Sequence, residues 1–249
     1  MSEEFEPFGG VERAPEPRNP RREQMVIQWV AITEVCVALV LALVLTIVVT
    51  LPVVGLLQID AEDQIGLITL SLPIQAAIFA GLAWFLIRGR ISPDVLPRRG
   101  STLFALGVGV VVGAVAYPVE YGVLWLLGQF GFEASEQSWV GVALEDPAIW
   151  LRMLPFIILI GPIAEEVFFR GYAFRLLLAR VNVPVAYLLS SLLFAIVHLN
   201  PSGIPAYTLL ALFVAWGYRR TGSLWTPVIA HIVHNAIVAI TYSYLGVDG

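Results

Sequence analysis

Lysine is absent from this 249-residue chain, so all 14 of its basic side chains are arginines. Cysteine is nearly absent too: Cys36 stands alone inside an apolar run, which excludes an intrachain disulfide and any two-thiol redox chemistry. Charge of either sign is scarce, at 13% of residues against about 25% in soluble domains. Hydrophobic residues make up 58%, more than a water-facing fold can hide, so lipid has to cover the remainder. The formal net charge is −5, with most carboxylates in an N-terminal tail and two short acidic connections, a distribution that offers nucleic acid no footprint.

Residues 1–25 are rich in Glu, Arg, Pro and Gly, have too few apolar groups to offset the entropy of ordering, and read as a disordered tail. No short apolar region with a small-residue cleavage site follows those charges, so the tail does not read as a signal peptide. Beyond it, residues 26–249 form a single membrane domain. Apolar segments fall at about 26–57, 66–88, 102–128, 148–178, 183–199, 204–220 and 225–245, each near the roughly 20 residues that cross a hydrocarbon core of about 30 Å. Lipid offers the backbone no hydrogen bonds, so runs of this length are helices and the predicted class is all-α, a polytopic bundle of about seven transmembrane helices.

Arginine placement predicts the orientation, because cytoplasmic loops collect positive residues. The tail carries Arg13, Arg18, Arg21 and Arg22, and the connection after the second span carries Arg88, Arg90, Arg98 and Arg99. Arg175 and Arg180 flank the fourth span, and Arg219 and Arg220 close the sixth. The intervening connections are acidic or uncharged, which puts the N-terminus in the cytoplasm and the C-terminus outside. Seven tryptophans, Trp29, Trp84, Trp125, Trp139, Trp150, Trp216 and Trp225, fall mostly near span ends and read as interfacial anchors. Gly107, Gly109 and Gly113 in the third span read as a surface for close helix packing.

The chemistry lies where charge is least expected. The fourth span contains GPIAEEVFFRGYAF, which sets Glu165, Glu166 and Arg170 at a depth where each bare charge costs at least about 2.5–3.5 kcal/mol. Glu166 and Arg170 are four apart with the acid first, the favourable order for an ion pair on one helical face. Glu165 is turned by roughly 100° from that face and is the carboxylate left available. Gly161 and Pro162 predict a break just before the pair, with a restarted helix presenting its positive end to Glu165. The fifth span ends FAIVHLNP, with Phe194 and His198 four apart, and the seventh contains TPVIAHIVHNAI, with His231 and Asn235 four apart and His234 between them. All three histidines thus lie within spans.

An ionised Glu and a neutral His converging on one water suffice for general-base hydrolysis, while a second His and an Asn amide can meet the developing oxyanion. One carboxylate and two imidazoles are equally a zinc ligand set with a position open for water, so a divalent metal such as zinc remains an open cofactor. Other protease designs fail by subtraction. No HExxH is present, and Asp60, Asp63, Asp94, Asp146 and Asp248 all fall outside the spans. Ser190 and Ser191 precede His198 by about two turns, roughly 10–12 Å along the axis at 1.5 Å per residue, too far for direct activation.

The order EExxxR, FxxxH, HxxxN across successive spans, carried by EEVFFR, FAIVH and HIVHN within residues 148–245, resembles the CAAX prenyl protease and bacteriocin-processing family of intramembrane proteases, also called Abi or CPBP. The resemblance implies a membrane endopeptidase acting on a peptide or protein substrate. It implies Glu165 as the water-activating carboxylate, His198 as its partner, and His231 with Asn235 as the oxyanion or metal-side pair. Glu166, Arg170 and Phe194 would support the site, and Glu165, His198 and His231 would be the ligands of a metal. Eukaryotic members trim prenylated CaaX proteins, a substrate that nothing in this sequence specifies. The alternatives are a non-catalytic immunity or scaffold protein and a proton-coupled transporter, the latter disfavoured because no matching interrupted spans occur in two halves of the chain.

Overall fold

The computed structural model describes residues 20–60, 62–88, 91–133 and 138–245, and among them there is no strand. Eight helices follow in order: α1 (Pro20–Leu57), α2 (Gln64–Ile87), α3 (Thr102–Gly128), α4 (Ser138–Glu145), α5 (Pro147–Arg180), α6 (Val183–Ile196), α7 (Ile204–Thr221) and α8 (Trp225–Leu245). The all-α membrane bundle is therefore as expected. Helix α1 begins at Pro20, so residues 20–25, read as tail, are helical. The rest of that tail, with Arg13 and Arg18, lies outside the described residues, as do Arg90 and Asp248.

Local signals set the helix starts. Asp63 accepts from the Gly66 amide at the head of α2, Ser101 from Phe104 at α3, Asp146 from Ala148 and Ile149 at α5, and Asn182 from Val185 at α6. Each occupies a free first-turn N–H that lipid could not serve. At the other end of α7, Gly222 adopts φ +64° and lies so close to Pro97 that a Cβ there would meet the Pro97 carbonyl oxygen at 2.1 Å. Only glycine fits both constraints.

Four helices, α1, α2, α3 and α5, are long and apolar enough to cross a membrane by length and composition. The segments expected as the fifth to seventh spans are helical as well, but α6 has only 14 residues and α7 and α8 dilute their apolar character with arginines, histidines and asparagine.

The fourth span is unbroken, contrary to the expected restart at Pro162. Helix α5 continues through Gly161 and Pro162 by widening: Phe156–Ile160 and Val167–Phe174 are π-helical, on either side of the α-helical stretch Gly161–Glu166. The Gly161 amide donates to the Phe156 carbonyl five residues back. The next bond of that pattern would come from Pro162, which has no N–H, and this leaves the Ile157 carbonyl without an intrahelical partner. With no helix start there, no free positive helix end faces Glu165.

The core gathers where α5 meets α1, α2, α6 and α7. Phe79, Phe168, Phe169, Tyr172, Phe174 and Phe194 are almost fully buried, and Phe79 stacks on Phe168 with ring centroids 5.0 Å apart. Trp150, expected at the interface, is instead buried and donates from Nε1 to Ser243 Oγ at 2.9 Å, tying α5 to α8. Trp84 and Trp216 fit the anchor reading better, carrying the guanidinium groups of Arg88 and Arg220 on their faces at 3.4 and 5.1 Å.

Helices α3 and α8 press together along the expected glycine face. A Cβ on Gly113 would meet the Ala230 carbonyl oxygen at 2.3 Å, and one on Gly109 the Thr226 carbonyl oxygen at 2.8 Å, whereas Gly107 has nothing within 4 Å. Backbone on the receiving side cannot yield as a side chain would. Gly113→Ala is expected to destabilise the folded protein by about 1–3 kcal/mol, the usual cost of overpacking. Thermal unfolding in detergent measures it, with Gly107→Ala as the control that shifts little.

Candidate active site

The buried centre is a three-residue chain of ion pairs and hydrogen bonds. Arg170 Nη1 donates to Glu166 Oε1 at 3.0 Å, with both side chains wholly buried. Its Nη2 donates to the Ala211 carbonyl oxygen of α7 at 2.9 Å, and its guanidinium lies over the Phe194 ring at 4.9 Å. Across the helix interface, His231 of α8 directs Nδ1 to the same Glu166 Oε1 at 2.9 Å. A carboxylate oxygen accepts, so Nδ1 carries the proton and Nε2 is left as a lone pair.

That free nitrogen faces Glu165. His231 Nε2 lies 3.9 Å from Glu165 Oε2, and the Glu165 side chain keeps 25% exposure where its neighbours keep almost none. A cavity of about 20 Å³, enough for one water, opens beside Glu165 and is lined by Leu72, Gln75, Ala76 and Phe79 of α2 together with Phe156, Gly161 and Ala164 of α5. The two glutamates have therefore separated as expected, one into the ion pair and one towards a cavity. Glu166 also does something its spacing from Arg170 does not reveal: it fixes the tautomer and orientation of His231.

His198 makes other contacts than the expected one with Glu165. Its Nδ1 donates to the Phe194 carbonyl oxygen at 2.8 Å, its ring stacks on Tyr207 at 4.3 Å between centroids, and no ion pair joins it to Glu165 among the described residues. The partner beside Glu165 is His231. Phe194 touches both histidines, its centroid 4.9 Å from His198 and 5.6 Å from His231.

Asn235, one turn along α8 from His231, donates from Nδ2 to the Ile157 carbonyl oxygen at 2.8 Å. This is the acceptor that the π-helical turn and Pro162 leave bare. His234 joins a further polar pair, with Nε2 3.0 Å from Glu120 Oε2 of α3. The sequence signal for it, an acid inside an apolar span, also picks out Glu34 of α1, which accepts from the Tyr172 hydroxyl at 3.4 Å.

Both His198 and His231 present Nε2 lone pairs with Nδ1 anchored on oxygen, the tautomer that metal-ligating histidines use. Their positions do not match: among the described residues, no three His, Cys, Asp or Glu side chains are gathered to hold an ion, and Glu165, His198 and His231 do not form such a set.

The many-helix bundle is that of an integral membrane protein, with a carboxylate, an imidazole and a one-water cavity in its interior. Residues 147–237 match the family model described as "Type II CAAX prenyl endopeptidase Rce1-like", so the C-terminal region is similar to that family of membrane proteases. Over 82 residues, 33% of this chain and 34% of the relative, it is 38% identical to "Putative membrane peptidase YdiL" of Bacillus subtilis. Over 149 residues, 51% of this chain and 60% of the relative, it is 30% identical to "Membrane-embedded CAAX protease MroQ" of Staphylococcus aureus. It is also 35% identical over 74 residues to "UPF0177 protein YxdF" of Lactococcus lactis. The chain thus spans between 34% and 60% of the length of these relatives. No solved structure matches it.

Removing one side of the buried pair isolates the other. Glu166→Ala strands Arg170 at zero exposure and is expected to cost about 3–5 kcal/mol of stability. Among the described residues Glu165 has no ion-pair partner nearer than 3.9 Å to lose, so Glu165→Gln should leave the unfolding midpoint in detergent within error of the wild type.

Proposed function

We propose that the protein is an intramembrane endopeptidase in which Glu165 activates a water held in the cavity beside it. The supporting observation is the 3.9 Å separation of Glu165 Oε2 from His231 Nε2 next to a cavity with room for one water. The gap is too long for a direct hydrogen bond and suits a bridging water. In this reading Glu165 takes a proton as the water oxygen attacks the scissile carbonyl carbon. The C–N bond then breaks as Glu165 returns that proton to the departing amine, so hydroxyl ends on the new carboxyl group and hydrogen on the new amino group.

His231 is the second base on that water, kept neutral at Nε2 by its Nδ1–H bond to Glu166. Asn235 has a second N–H beyond the one given to Ile157, and that donor serves the oxyanion. His198, with Nδ1–H committed to its own helix, supports the site through Phe194 rather than pairing with Glu165. The substrate class is a membrane-borne peptide or protein, prenylated or not. The proposed orientation keeps the N-terminus cytoplasmic and the C-terminus outside. It is supported by the tie of Arg99 N to the Thr221 carbonyl oxygen at 2.6 Å and of Arg175 Nη2 to the Ser92 carbonyl oxygen at 3.1 Å, which join arginine-bearing ends of α5, α7 and the α2–α3 connection.

The test is a membrane-tethered peptide library presented to the protein in liposomes, with products read by mass spectrometry. Glu165→Gln should lower cleavage by about 10²–10⁴-fold, the usual worth of a positioned general base. Membrane insertion should be unchanged. Wild-type turnover by that variant would remove Glu165 from the reaction and favour a non-catalytic, peptide-binding role.

A further inference from the structure

The pair formed by Glu120 and His234 lies outside the water-activating centre, yet it touches a residue of the proposed oxyanion site. Asn235 Nδ2 is 2.8 Å from the Ile157 carbonyl oxygen, which can only accept, so the amide nitrogen must face α5. The amide oxygen is thereby turned to His234, with Oδ1 3.3 Å from Nδ1. An oxygen there requires a proton on Nδ1. On the far side of the ring, Nε2 lies 3.0 Å from Glu120 Oε2, and that contact holds only with one proton between the two atoms, whichever of them carries it. A neutral imidazole with its Nδ1–H on Asn235 and an ionised Glu120 would set lone pair against lone pair in a nearly buried space.

The ring has little freedom to escape this arrangement. Tyr117 of α3 packs edge-on against it with centroids 6.1 Å apart and an interplanar angle of 64°, and its hydroxyl donates to Thr241 Oγ1 at 3.2 Å. The close α3–α8 approach at Gly109 and Gly113 holds both helices in register. Glu120, His234, Asn235 and Ile157 therefore form one directed chain from α3 through α8 to the π-helical turn of α5.

From this geometry we infer that Glu120 and His234 are positioning residues: the Glu120–His234 pair keeps a proton on His234 Nδ1, which fixes the Asn235 amide with its nitrogen towards the site. The inference rests on the endopeptidase reading for its kinetic consequence, while its structural core can be read without any substrate.

Two measurements on the full chain in lipid nanodiscs test it. In ¹⁵N-histidine NMR, with His198→Gln and His231→Gln variants assigning the three histidines, His234 is expected to bear hydrogen on Nδ1. A bare Nδ1 overturns the inference whether or not cleavage is ever seen. In the cleavage assay, His234→Phe keeps a ring but no donor, and kcat should fall by about tenfold or more with KM within about twofold, the pattern of a lost transition-state contact. Glu120→Leu should fall in the same direction. Glu120→Gln should restore most of the rate, because its amide can donate to Nε2 and leave the Nδ1–H in place. Wild-type rates in folded His234→Phe, or a Gln variant as inactive as the Leu variant, each overturn it. The latter would make Glu120 a proton carrier. Absence of cleavage in every protein, wild type included, refutes the endopeptidase reading alone, and the NMR result then decides the positioning inference.

Discussion

The bundle is organised around a guanidinium that no water reaches. Arg170 is fully buried and needs partners on several helices at once: Glu166 on its own helix, the Ala211 carbonyl of α7, and the face of Phe194 on α6. Even so, its Nε and Glu166 Oε2 have no hydrogen-bond partner among the described residues. A buried pair of this kind contributes little net stability compared with apolar residues of the same size, because desolvation offsets much of the attraction. What it supplies is geometry. Glu166, held by Arg170, holds His231, and His231 is thereby aimed at Glu165.

Precision of that aim depends on two features of the helices. The widened turns of α5 let the chain pass Gly161 and Pro162 without a break, so Glu165 and Glu166 sit on a continuous rod whose phase differs from that of a uniform α-helix. The bare Ile157 carbonyl this creates is then used as a docking point by Asn235. The second feature is the glycine face of α3, which allows α8 to lie nearly backbone to backbone with it and brings Glu120 within reach of His234.

Much of this was legible in the sequence. Composition alone excluded a soluble fold, hydropathy marked seven of the eight described helices and missed only the short α4, and the i,i+4 spacings joined Glu166 to Arg170 and Phe194 to His198. What spacing within one helix cannot convey is which groups meet across helices. Glu165 and His231 belong to helices whose meeting depends on the π-helical turns of α5 and the close packing of α8, neither of which a spacing records. That the structure does not join His198 to Glu165 has a related reason. Pattern order says nothing about the contacts His198 makes instead, with the Phe194 carbonyl and the Tyr207 ring. Glu120 was visible as an acid in a span, but its partner was not, since 114 residues separate it from His234.

One wall of the cavity comes from a helix outside the family-matched segment. Leu72, Gln75, Ala76 and Phe79 all belong to α2, while every ionisable group of the centre belongs to α5 or α8. Half of the chamber's lining is thus encoded in a stretch of the chain that holds none of the centre's acids and bases. Exchanging the inward side chains of α2 for bulkier or smaller ones would resize the chamber without displacing a single acid or base, so in the proposed endopeptidase the choice of substrate could drift through α2 while Glu165 and His231 stay in place.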